Sequence, residues 1–212
     1  VTDNTQHYLN LEERYGAHNY HPIPVVLNHG EGVFLYDVDN KRYYDFLSGY
    51  SAVNQGHCHP KIIATLVEQA QKLTLTSRAF HSNLLGEYEK YITGYFGYDK
   101  VLPMNTGVEA VETAIKLARH WGYKVKSIEQ NRAKIIVCSN NFHGRTTGVI
   151  SFSNDSTATT DFGPFIPGYE TIPFNYLFAL EKALQYKTVC GFLFEPIQGE
   201  AGIIVPPEGY LT

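Results

Sequence analysis

Phe142, His143, Gly144 and Arg145 stand in a row just behind an apolar run, "AKIIVC" at residues 133–138. That is an unusual set of groups to meet where a strand leaves a core. An aromatic face can cover a planar ring, and a guanidinium can hold a carboxylate through two parallel N–H bonds. The same residues also suit a solvated turn. Two further stretches carry comparable chemistry. In "MNTGVEA", Thr106 and Glu109 have capping-box spacing, and Gly107 lets the backbone turn sharply or approach a ligand. A helix starting there turns unpaired N–H groups and the positive end of its dipole outward, which suits a phosphate. An ordinary capped helix reads the same way. In "FEPIQGEAG", Glu195 and Glu200 flank a loop with glycines at 199 and 202. Two carboxylates near a site can orient, neutralise or exchange protons, and loop acids can also be merely solvated.

Other chemistries lose ground. "GHCHP" sets His57, Cys58 and His59 side by side. Zinc ligands come in spaced pairs, whereas adjacent residues of an extended chain point to opposite sides, so a turn leading into a helix at Pro60 is the simpler account. Neither G-x-G-x-x-G nor the phosphate-loop lysine motif occurs, which argues against a dinucleotide dehydrogenase and a P-loop ATPase. The net charge is −4 with scattered Lys and Arg, so no nucleic-acid footprint is expected. No apolar run nears the about 18 residues that span a bilayer. Three cysteines make no disulfide framework, and Cys138 and Cys190 sit in apolar runs. The N-terminus is polar and acidic, unlike a signal peptide. These features point to a reducing interior, the cytoplasm by default, with the mitochondrial matrix open if a transit peptide has been removed.

Elements able to position the three motifs follow from periodicity. Residues 31–47 hold two β-rich runs around "DVDNK" and predict a hairpin or meander. After "GHCHP" the period becomes helical: Ile62, Ile63, Leu66, Val67, Ala70 and Leu73 share a face, with Pro60 in the first turn. A second helix is expected from about Ser82, carrying Leu84, Leu85, Tyr88, Tyr91, Ile92 and Tyr95. From residue 101 strands and helices alternate. "KVLPMN" leads into "VEAVETAIKLARHWGY", "AKIIVCS" into "RTTGVISFS", and "NYLFALEKALQY" into "VCGFLFEP". That alternation predicts an α/β fold with a mainly parallel sheet covered on both faces. Residues 160–174, rich in Gly, Pro and aromatics, read as a functional loop. In such a sheet, ligands gather at the carboxyl ends of the strands, and all three motifs are expected on that edge. The division expected is an N-terminal segment with the meander, 1–50, followed by 51–212 as the first, incomplete part of a large α/β domain. "PPEGYLT" ends just after a strand, where a parallel sheet normally continues.

Together, "MNTGVEAVETAIKLAR", "NFHGRT", "EPIQGEAG" and "AVNQGHCHP" resemble the class III, fold-type-I aminotransferases, which use pyridoxal 5'-phosphate. Within that family, "YGAHNYHPIPVV", "SAVNQGHCHPKI", "KLTLTSRAF" and "KVLPMNTGVEA" are similar to the ornithine-converting members, from about Tyr15 onward. The resemblance implies ping-pong transfer of the δ-amino group of L-ornithine to 2-oxoglutarate, in a homodimer or higher homo-oligomer. It implies that Gly107 and Val108, beside Thr106, hold the cofactor phosphate, that Phe142 stacks on its ring, and that Glu195 supports the site. Arg145, with Tyr20, would hold the α-carboxylate of ornithine. Tyr50 would shape the pocket, and Glu200 would mask a later arginine during one half-reaction. In the family the Schiff-base lysine, and that arginine, lie beyond the position matching residue 212. Tyr20 and Tyr50 argue against the nearest alternatives, acetylornithine and 4-aminobutyrate aminotransferases. A non-catalytic truncated half is a further alternative.

Overall fold

A computed structural model describes residues 1–211. The chain divides into two compact units, Val1–Tyr88 and Glu89–Thr212, so the segment around residues 51–88, expected with the second part, clusters with the first.

The first unit opens with α1 (Asp3–Tyr15), a helix the sequence reading did not anticipate. Thr2 caps it by accepting from the Thr5 N–H at 3.1 Å, and Thr2 and Thr5 both donate their hydroxyls to Asp39 at 2.7 and 2.6 Å. β1 (Leu27–Glu31), β2 (Phe34–Asp37) and β3 (Arg42–Tyr44) form the antiparallel meander expected. Its β2–β3 turn closes on Asp37, which accepts from Asp39 N, Lys41 N and the Tyr43 hydroxyl. A short turn, α2 (Ser48–Ser51), precedes α3 (Pro60–Lys72), which starts at Pro60 because proline needs no N–H there. The periodic face of α3 is exposed, including Ile62, Leu66 and Val67. α4 (Asn83–Phe96) runs from the first unit into the second and begins one residue after the expected start.

The second unit is a three-stranded parallel sheet flanked by helices. It contains α5 (Gly107–Lys124), β4 (Lys134–Cys138), α6 (Thr147–Ile150), α7 (Ser156–Thr159), β5 (Tyr169–Ile172), α8 (Leu177–Leu184) and β6 (Val189–Leu193). The strand order is β5–β4–β6. β4 is central, and its side chains are shared between two cores. Ile135 and Val137 join Ile115 of α5, Val149, Phe152 and Cys190 on one side, while Ile136 packs with Ile172, Leu180, Ala183 and Tyr210 on the other. Burial on both faces explains why β4 is continuously apolar. Each fully buried Ile or Val contributes about 1.5–3 kcal/mol.

Three expectations need correction. Residues 101–104 form no strand: Pro103 has no N–H to donate, and the segment pairs with nothing among the described residues. Residues 160–174 are not loop throughout. Tyr169–Ile172 is a strand whose register with β4 runs from Ile135↔Tyr169 to Cys138↔Ile172. The helix expected in "RTTGVISFS" is reduced to the single turn of α6.

Candidate active site

The N-terminus of α5 is an open donor site. Thr106 accepts from Glu109 N at 3.2 Å, and the Glu109 carboxylate accepts from Asn105 N and Thr106 N at 3.0 and 3.1 Å, completing the capping box. The next N–H free for an intrahelical bond is that of Ala110, which donates to Thr106 O. The N–H groups of Gly107 and Val108 are therefore the two that the helix geometry leaves for an outside acceptor. A Cβ on Gly107 would meet nothing within 4 Å, so the approach is clear. Thr106 accepts in the cap, which leaves its hydroxyl proton to donate.

β4 delivers the second motif to the sheet's carboxyl edge. Asn141 is buried and donates to Cys138 O at 2.7 Å and Phe152 O at 3.1 Å, which fixes the exit of the strand. Phe142 is 43% exposed, and the Arg145 guanidinium lies 5.6 Å from its ring centroid. Gly144 has φ +123, and a Cβ there would sit 2.6 Å from Val108 Cγ2. Only glycine allows both that backbone and that approach, so the loop after β4 rests on the first turn of α5. His143 turns inward beside Phe152, its Nε2 buried without a partner among the described residues, and burial lowers its pKa.

β6 supplies the third motif. Its partner in register is β4, with Val137 opposite Leu193, so both strands end together. Glu195 Oε2 accepts from the Phe142 N–H at 3.3 Å. Burial pushes the Glu195 carboxyl above its ordinary range, the Phe142 N–H opposes that, and the charge of Glu200 adds to it. Gln198, 1% exposed, donates to Ser139 O at 2.8 Å, and its backbone bridges to Ile204. The intervening turn, closed by Gly202 N and Ile203 N on Gly199 O, carries the exposed Glu200.

The expected site residues of the second unit thus fall in one neighbourhood: Thr106, Gly107 and Val108 at the helix end, Phe142 and Arg145 beside it, Glu195 and Glu200 at the adjoining strand exit. The donor set suits a phosphate, and the exposed Phe142 face suits a planar ring, so these residues fit a phosphorylated aromatic cofactor. The family profile described as aminotransferase class-III matches residues 15–212. The chain belongs to the class-III aminotransferases. It is 63% identical to a mitochondrial ornithine aminotransferase of Drosophila ananassae over 94% of its own length and 46% of that protein. The crystal structure of the ornithine aminotransferase from Toxoplasma gondii superposes with a TM-score of 0.96 at 45% identity, covering 99% of this chain and 50% of the other. An acetylornithine aminotransferase from Elizabethkingia anophelis superposes at 0.85 with 62% identity, covering 99% of this chain and 51% of the other. The chain spans about half the length of the relatives it matches.

In this class-III aminotransferase chain the remaining expected residues, Tyr20 and Tyr50, belong to the first unit. Tyr20 is 53% exposed and lines an open groove of about 580 Å³ with Glu12, His18 and Pro22. Tyr50 sits in a turn where Ser48, Gly49, Tyr50 and Ser51 all have φ between +51 and +67. Non-glycine residues are strained there by about 1–2 kcal/mol each. Asp45 anchors the turn by accepting from Leu47 N at 2.9 Å and Ser48 N at 2.8 Å, and its other oxygen meets His57 Nε2 at 2.6 Å. The Ser48 N–H and then His57 hold the Asp45 carboxyl below its ordinary range. His57, weighed as a metal ligand from the sequence, is thus engaged with a carboxylate. Among the described residues no group of three or more His, Cys, Asp or Glu is arranged to hold a metal, and no helix is long and apolar enough to cross a membrane.

Sequence reasoning passed over Asn141 and Gln198. An amide directly after an apolar run was the available signal for Asn141. For Gln198 no local signal existed, because its partner lies 59 residues away.

Proposed function

We propose that the protein transfers the δ-amino group of L-ornithine to 2-oxoglutarate, with pyridoxal 5'-phosphate as cofactor. The observation that carries the reading is Arg145 at the carboxyl edge of β4, beside Phe142 and the open helix end, in a chain 63% identical to an ornithine aminotransferase. When bound, the cofactor supplies a carbonyl conjugated to an electron sink, which lets an amine be taken up and passed on. Gly107 and Val108 N–H, with the Thr106 hydroxyl, hold its phosphate. Phe142 covers one face of its ring, kept in place by the bond from its N–H to Glu195. Arg145 grips the α-carboxylate of ornithine with its planar fork, and so presents the δ-amine rather than the α-amine to the reacting carbon. Tyr20, Tyr50 and Glu200 keep the roles given above as proposals resting on the resemblance. Assembly with a second copy is likewise a proposal resting on the resemblance. A reducing compartment, cytoplasm or mitochondrial matrix, suits the free thiols of Cys58, Cys138 and Cys190.

The test is single-turnover kinetics of full-length Arg145→Lys with ornithine and with the diamine that is ornithine without its carboxylate. Lysine cannot reproduce the fork, so kcat/KM for ornithine should fall by roughly 2–4 kcal/mol in transition-state terms while the diamine loses little. Equal slowing of both substrates refutes the carboxylate clamp. A second reading, with N-acetylornithine as donor, is favoured by the 62% identity to the Elizabethkingia protein. Both donors carry the same carboxylate and δ-amine, so the ratio of their kcat/KM values decides between the readings.

A further inference from the structure

We infer that Glu112 is a positioning residue for Arg145, acting through Thr146; the inference rests on the carboxylate-clamp reading above. Val108 and Glu112 are four apart on α5 and therefore share one face of the helix. They touch the two neighbours of Arg145 in sequence. Val108 is the side chain against which Gly144 packs, with 2.6 Å from a hypothetical Gly144 Cβ to Val108 Cγ2. Glu112 Oε1 accepts the hydroxyl proton of Thr146. Residues 144 and 146 are thus both held to the helix, and Arg145 between them is exposed and extends over the Phe142 ring.

The Thr146 hydroxyl bonds to a distant element and not within its own turn. Thr146 is the N-cap of α6, a position where a threonine hydroxyl ordinarily accepts from the helix's own N–H groups. Here the side chain makes no capping bond and reaches 34 residues back to Glu112 instead. Gly148 marks the same closeness, because a Cβ there would overlap the Glu112 carboxylate. The Thr146 hydroxyl proton is thereby committed to α5, and the result is a backbone tied down on the far side of Arg145. A guanidinium that must meet a carboxylate with two parallel N–H bonds depends on its Cα being held in place.

Glu112→Ala, Thr146→Ala, their double variant and Thr146→Ser would be compared in the full-length enzyme, with Arg145→Lys as reference. Glu112→Ala and Thr146→Ala should each raise the KM for ornithine by about tenfold, the effect of weakening one charged contact. kcat, and kcat/KM for the diamine lacking the carboxylate, should stay within about twofold. The double variant should be no worse than either single one, because both remove the same bond. Thr146→Ser, which keeps the hydroxyl, should restore the ornithine KM. If Arg145→Lys discriminates between the substrates but Glu112→Ala slows both alike, or the two alanine effects add, Glu112 is only a structural residue and the inference is overturned. If Arg145→Lys itself slows both alike, the clamp reading fails first and the inference falls with it.

Discussion

Replacing Gly144 with alanine asks the loop after β4 to accept two separate penalties. The first is conformational. At φ +123 an alanine Cβ is strained, which costs about 1–2 kcal/mol. The second is steric. The new methyl would stand 2.6 Å from Val108 Cγ2 and 2.7 Å from Val108 Cβ, well inside contact distance, with Val149 Cγ2 at 3.4 Å behind it. Val108 is on the first turn of α5 and cannot retreat without moving the helix end, so this overpacking adds about 1–3 kcal/mol. The expected loss is about 2–5 kcal/mol, measured by urea denaturation of the full-length protein. A double-mutant cycle with Val108→Ala separates part of them. Removing the valine methyls relieves the contact with Cγ2 but leaves Val108 Cβ at 2.7 Å and the backbone strain, so the coupling should be favourable by about 0.5–2 kcal/mol. Because Gly107 and Val108 lie at the donor end of α5, Gly144→Ala should also weaken retention of pyridoxal phosphate, and the double variant should recover part of it. A Gly144→Ala protein within about 0.5 kcal/mol of wild type, or strictly additive effects, would show that the loop does not rest on the helix as described.

Phe142→Ala should loosen the cofactor by about tenfold, since ring stacking contributes roughly 0.5–1.5 kcal/mol beyond area burial; unchanged cofactor release on dialysis, with an altered ornithine KM, would place the ring elsewhere. His143 is held neutral by burial, its pKa lowered from 6.5. Its contribution to stability is therefore present above that ordinary value and is lost as pH falls through the lowered folded one, because the unfolded chain then binds the proton more readily. His143→Phe should flatten the acid side of the urea-stability profile, and parallel profiles for the two proteins would refute this.

Much of this protein is legible in the residues themselves because the signals are local. The capping box of Thr106 and Glu109 spans three residues, and proline at position 60 announces α3 through its missing N–H. The apolar run of β4 marks a strand buried on two faces, and the chemistry of "NFHGRT" stands immediately after it. The family motifs are equally local, and with them came the family and the cofactor its members use.

What the sequence left open are the relations between distant positions. Strand β5 was hidden inside a stretch dominated by Gly and Pro, because four residues make too short a pattern to outweigh their flanks; pairing with the central β4 decides it. Residues 101–104 carry a strand-like composition, yet composition provides no partner. Glu195 meets the Phe142 N–H across 53 residues, Gln198 meets Ser139 across 59, and Glu112 meets Thr146 across 34. Periodicity reports which face of an element is apolar, whereas these contacts depend on which elements the folded sheet brings side by side. That is why the sequence could name Arg145, while only the tertiary structure revealed the valine and the glutamate of α5 that hold its neighbours.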